Sequence, residues 1–141
     1  MTALAANTEI LCKDVTKIQK CLLKASTAIY KGALVAFDAN GLLIAATPTA
    51  STQFAGIALE GVTSAASGSY YCNVARDGRH LLTTAGMAQS NVGDIMYAAD
   101  SGTVGATASN AHKVGVITEF VSATQVWVDI SDGCANPALG A

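Results

Sequence analysis

From Tyr30 onward the chain never sustains one periodicity for long: apolar runs of four to six residues alternate with clusters of Gly, Asn, Asp and Ser. Such runs are too short for amphipathic helices and match strands bounded by turns, so the reading is an all-β sandwich or barrel. Ala33-Leu34-Val35-Ala36-Phe37 and Leu42-Leu43-Ile44-Ala45-Ala46 flank Asp38-Ala39-Asn40-Gly41, a hairpin loop with Gly where a positive φ is wanted. Tyr70-Tyr71-Cys72-Asn73-Val74-Ala75-Arg76 and Arg79-His80-Leu81-Leu82-Thr83-Thr84 enclose Asp77-Gly78, the strongest short-range hairpin signal in the chain. A two-residue loop there would set Arg76 opposite Arg79, His80 opposite Ala75 and Cys72 opposite Thr83. Further strands are expected at 54–60, 95–98, 114–121 and 125–131. In the last, Val126, Val128 and Ile130 alternate with Gln125, Trp127, Asp129 and Ser131, as in a half-buried strand.

The expected organisation is an N-terminal arm or amphipathic segment at 1–28, a β body at 29–131 and a C-terminal tail at 132–141. In the first segment Leu11, Val15, Ile18 and Leu22 recur at helical spacing, with Lys13, Lys17, Lys20 and Lys24 on roughly the opposite face. The weak cap and frequent Val, Ile and Thr favour extended chain instead, so short helix and arm both stand open. The tail carries a Pro and no periodicity, and is expected to order only by docking.

At 141 residues the chain is one domain's worth. Only 13% of residues are charged and the formal net charge is -2. The electrostatic footprint of a nucleic-acid binder is therefore missing, and the uncharged surface is poorly defended against association. No apolar run approaches the roughly 20 residues of a membrane-spanning helix. The first residues carry no basic stretch ahead of their apolar ones and do not read as a secretory leader, so synthesis in a cytoplasm is expected.

Chemistry-bearing residues are sparse. Cys12, Cys21, Cys72 and Cys134 form no C-x-x-C pair and have no His at ligand spacing, so no metal site is expected, and free, mostly buried thiols are the default. The histidines are His80 and His112. A Cys72–His80 pair across the hairpin is a conceivable activated nucleophile, but the expected register does not bring the two together, and a satisfied histidine beside a buried cysteine is the commoner outcome. Phosphate-loop, dinucleotide-binding, G-x-S-x-G and H-E-x-x-H patterns are all missing. No catalytic residue and no cofactor are expected. Asp94, Asp100 and Glu60 sit beside turn glycines, where a turn-capping role is the ordinary one.

Contact features are easier to find. Arg76 and Arg79 at the expected hairpin tip could grip acidic groups on a partner. Trp127, the only tryptophan, falls on the polar face of its strand, where either the N-terminal segment or another subunit would have to cover it. Lys13, Lys17, Lys20 and Lys24 complete the candidate contact residues.

Tyr30-Lys31-Gly32-Ala33-Leu34-Val35, Phe54-Ala55-Gly56-Ile57-Ala58-Leu59-Glu60 and Val74-Ala75-Arg76-Asp77-Gly78 occur in this order. Gly93-Asp94-Ile95-Met96-Tyr97-Ala98-Ala99-Asp100, Val114-Gly115-Val116-Ile117 and the alternating strand at 126–130 follow them. In that layout the stretch 29–131 resembles the head decoration, or cement, proteins of tailed double-stranded DNA phages. The resemblance implies a small β-barrel or β-tulip body on the outer capsid surface of the virion, commonly trimeric, with the major capsid protein as partner and no cofactor. A different class is a surface-displayed host-attachment or carbohydrate-binding β module that stacks sugars on Trp127, Tyr70 and Tyr71, against which the aromatic content of 6% counts.

Overall fold

A computed structural model describes residues 4–47, 53–106, 113–131 and 134. Its regular elements are almost entirely antiparallel strands: β1 (Cys12–Lys13), β2 (Ile18–Leu22), β3 (Ala28–Ile29), β4 (Leu34–Phe37), β5 (Leu43–Ala45), β6 (Gln53–Ala58) and β7 (Val62–Thr63). They continue with β8 (Tyr71–Ala75), β9 (Arg79–Thr83), β10 (Ile95–Ala98), β11 (Val104–Gly105), β12 (Lys113–Ser122) and β13 (Gln125–Asp129). A 3-10 turn at Gln89–Asn91 precedes β10. The protein is mainly β, as its turn-punctuated sequence requires.

The strands form a six-stranded sheet in the order β1-β9-β13-β12-β10-β11, a five-stranded sheet in the order β2-β8-β6-β4-β5 and the separate pair β3-β7. Among the described residues these sheets are open and do not close into a barrel. Leu34, Ala36, Phe54 and Ile57 from the five-stranded sheet share one core with Leu82, Met96, Val114, Ile117, Val126 and Val128 from the six-stranded sheet. Val35, Ala55, Ala58, Cys72 and Val74 point the other way, into a second core with Cys21, Leu23 and Ile29. Two buried faces explain why β4 and β6 read as unbroken apolar runs, since every side chain along them needs an apolar neighbour. In β13 the inward set is the expected Val126 and Val128, followed by Ile130.

The first expected hairpin forms, with Val35 opposite Ala45 and Phe37 opposite Leu43. Its loop is held by the Asp38 side chain, which accepts the amides of Asn40 at 2.8 Å and Leu42 at 3.0 Å, while Gly41 takes φ +77°. The second expected hairpin does not form. β8 lies in the five-stranded sheet and β9 in the six-stranded one, so Asp77-Gly78 is the corner where the chain leaves one sheet for the other. An Asp-Gly pair supplies a sharp turn with positive φ, and nothing in that requirement obliges the flanking strands to pair with each other.

Residues 4–28 hold short strands joined by bends and a turn and contain no helix, so the short-helix alternative is not taken. β1 pairs with β9 and β2 with β8, so the N-terminal segment supplies an outer strand to each large sheet. Its amide groups find their partners in those neighbours, which outweighs a local apolar period carried by β-branched residues. The segment expected as an arm or amphipathic segment is hydrogen-bonded to both large sheets through β1 and β2. From the expected tail, Cys134 is described and buried: its amide donates to the Ile130 carbonyl at 3.0 Å, and its thiol lies 3.4 Å from the Ala55 carbonyl oxygen. The loop at 48–52 and His112 lie outside the described residues.

Candidate contact surface

The Asp77-Gly78 corner organises the surface around it. Asp77, 8% exposed, accepts the backbone amides of Thr16 and Lys17 on Oδ1, each at 2.9 Å, and the Thr16 hydroxyl on Oδ2. Burial alone would push its carboxyl up, but these hydrogen bonds, with the nearby Lys17 charge, outweigh that and hold it below its ordinary value. Gly78 adopts φ +92°, and a Cβ there would stand 2.8 Å from the Lys13 carbonyl oxygen and 2.9 Å from Val15 Cγ2. The corner therefore binds the N-terminal segment through charge-assisted hydrogen bonds and close backbone approach. It also reaches the far end of the chain, since the Gly78 carbonyl accepts the Ile130 amide at 3.0 Å.

Arg76 and Arg79, expected face to face, part company at this corner. Arg76 donates to Gln19 Oε1 and to the Cys134 carbonyl, both at 3.0 Å, with its guanidinium 5.4 Å from the Phe37 ring centroid. Arg79 belongs to the other sheet and clamps one carboxylate oxygen of Asp14, Oδ2, through Nε at 2.9 Å and Nη2 at 2.7 Å. Asp14 holds a positive φ of 62°, which bends the chain between β1 and the Asp77-bound residues. The two are not cross-strand partners, so the expected opposition of Arg76 and Arg79 is not formed.

Trp127 is 8% exposed. Its cover is the chain's own N-terminal segment: Lys13 Nζ lies 4.4 Å from the ring centroid. Register explains this, because β1 pairs with β9 and β9 with β13, placing Lys13 opposite Arg79 and Arg79 opposite Asp129, which is two residues from Trp127 and on the same face of its strand. Three of the seven candidate residues, Lys13, Arg79 and Trp127, thus share the outer face of the six-stranded sheet. Lys20 covers Tyr71 at 4.8 Å on the other sheet, and exposed Lys17 lines an open cleft with Arg76, Gln19 and Ser131. Lys24 is exposed and joins none of these groups.

Sequence reasoning did not single out Leu11 and Ile18 as surface residues. Among the described residues they are the two most exposed large hydrophobics, at 64% and 61%, and both lie in the lysine-bearing N-terminal segment. The helical template assigned them to a buried stripe; in extended chain they face outward beside Lys13, Lys17 and Lys20. Tyr70 and Tyr71 are exposed as well, at 36% and 44%, whereas Trp127 offers no open face on which a sugar could stack.

His80 is buried, with Nε2 3.1 Å from the Asp77 carbonyl oxygen, and its pairing partners are Cys12 and Val128. Cys72 lies in the other sheet opposite Cys21, so the conceivable Cys72–His80 hairpin pair is not assembled. Asp100 takes the expected turn role, its Oδ1 accepting the amides of Gly102 at 2.8 Å and Thr103 at 2.9 Å. Among the described residues no group of three or more His, Cys, Asp or Glu is placed to hold a metal ion, and no helix is long and apolar enough to cross a membrane. No protein-family model, curated protein or solved structure matches the chain.

Proposed function

We propose that this chain is a virion structural protein, a decoration or cement subunit that binds the outer surface of a tailed double-stranded DNA phage head and stabilises it, acting as a trimer and not as an enzyme. The observation that carries the reading is the placement of Leu11 and Ile18. Two large apolar side chains stand out in water, interleaved with lysines, on a backbone that both sheets and Asp77 hold in place. Exposed apolar residues on a pre-ordered backbone suit binding, because little conformational freedom remains to be lost on contact. A shell offers many equivalent sites, and linked copies gain avidity from individually modest contacts. The ordered fragments at 30–35, 54–60, 74–78, 93–100, 114–117 and 126–130 supply the likeness to cement proteins, and the major capsid protein is the implied partner.

The test mixes purified protein with expanded, undecorated heads and measures co-sedimentation, alongside the sedimentation mass of the free protein. Wild type should bind saturably, and Leu11→Glu with Ile18→Glu should lower affinity at least tenfold while the fold persists by circular dichroism. Failure of wild type to bind heads would overturn the reading. Binding to a glycan array in place of heads would move the assignment to the host-attachment class.

A further inference from the structure

Cys21 and Cys72 are direct partners in the antiparallel pairing of β2 with β8, and both are buried, at 3% and 0% exposure, in the same core layer. The Leu23 amide donates to the Tyr70 carbonyl at 2.8 Å and the Arg76 amide to the Lys17 carbonyl at 2.9 Å. By the alternation of antiparallel ladders, Cys21 and Cys72 therefore occupy a hydrogen-bonded position, where α-carbons stand about 5.5 Å apart, inside the range a disulfide spans. As core filler alone, two cysteines need not share a rung; side by side and facing one way, they form a site.

We propose that Cys21 and Cys72 are a redox-responsive cross-strand pair, closing to a disulfide when the protein meets an oxidising milieu and locking the N-terminal segment to the body. The reduced thiols are quiet in place. Burial first of all, and after it the Glu60 carboxylate and the neighbouring Cys21, push the Cys72 thiol up to about 11, and burial raises Cys21 too. Thiolate is then scarce at neutral pH in the closed sheet, and reaction follows opening of β2, the edge strand of its sheet among the described residues. The oxidant is a small-molecule disulfide such as oxidised glutathione. One cysteine thiolate attacks it, forming a mixed disulfide and releasing one glutathione thiolate. The second cysteine thiolate then displaces the other glutathione, leaving one protein S–S bond, two glutathione thiols and no net proton change. The bond would close the long loop between β2 and β8, the class of cross-link that constrains the unfolded chain most. The inference stands whatever surface the protein binds.

Refolding the full chain from denaturant in glutathione buffers of graded oxidising strength tests it without burial limiting access. The expected product is a chain lighter by two hydrogens and not disulfide-linked to another copy, whose digest contains a Cys21–Cys72 linked peptide and whose thermal midpoint lies about 5–10 °C above that of the reduced protein. Cys21→Ala and Cys72→Ala should each abolish both the linked peptide and the redox dependence of the midpoint. Four titratable thiols after oxidation, or a linkage through Cys12 or Cys134 instead, would overturn the proposal. Peptide mapping of the wild type decides even if a variant folds poorly.

Discussion

The Asp77 carboxylate receives the Thr16 amide at 2.9 Å, joining the corner between the two large sheets to a segment some sixty positions earlier in the chain. The same carboxylate also takes the Lys17 amide and the Thr16 hydroxyl, so one side chain satisfies three donors that β1 and β2 leave over between them. Asp77→Ala should therefore cost about 2–3 kcal/mol in urea unfolding, as expected when several hydrogen bonds to one charged acceptor are lost together. The Asp77 carboxyl is held below its ordinary value in the folded state, so its stabilisation is complete above the unfolded carboxylate range and fades as pH falls through the lower folded value. The stability gap between wild type and variant should accordingly be widest near neutrality and narrow below about pH 4. A gap independent of pH down to 2.5 would show that the carboxylate charge is not what holds the segment.

Gly78 offers a second way to loosen the same joint. Its φ of +92° is unfavourable for any residue with a Cβ, and that atom would press on the Lys13 carbonyl oxygen and Val15. Gly78→Ala should destabilise by about 2–3 kcal/mol, more than a left-handed conformation alone costs, because the crowding atoms include backbone. Hydrogen exchange should show the amides of Thr16 and Lys17 losing protection before those of β12 and β13. Uniform loss across the molecule would contradict a local joint.

The two Asp77-Gly78 readings show where legibility ended. Val126, Val128 and Ile130 could be placed in the core from alternation alone, and the 34–37 and 43–45 strands from their loop, because those signals are local. The partner of a strand beyond a tight turn is not local. Whether β9 folds back on β8 or crosses to β13 depends on which sheet can bury Leu82, and a two-residue turn permits both. The short strands β1, β3, β7 and β11 carry two residues each, too few for any periodicity to register. Leu11, Val15, Ile18 and Leu22 did carry a period, of the wrong kind: it came from spacing without the helix formers and caps that would have given it force.

Lys13 over Trp127 predicts a spectroscopic change confined to one residue. With the ring 8% exposed, the single tryptophan should emit at shorter wavelength than free indole in water, and dilution should not alter it, since the cover belongs to the same chain. Lys13→Ala should shift emission to the red and cost about 0.5–1 kcal/mol, the range for a cation–π contact at a surface site. Emission that moved on dilution with Lys13 intact would assign the cover to a second subunit.

His80 predicts acid sensitivity in a different window from Asp77. Burial, the largest influence on the ring, lowers its proton affinity in the folded state, only partly offset by the Asp77 carbonyl and the charges of Asp77 and Asp129. The unfolded chain, titrating near the ordinary value of 6.5, then binds more protons than the folded one as pH falls through that value, so stability declines with acidification. Above that range the ring is neutral in both states and contributes no pH dependence. Urea midpoints measured from pH 8 to pH 5 should fall in wild type, and the His80→Gln variant, whose amide can still reach the Asp77 carbonyl, should flatten the decline between pH 7 and 5.5. If the variant declines as steeply as wild type there, the proton taken up on unfolding belongs to another group.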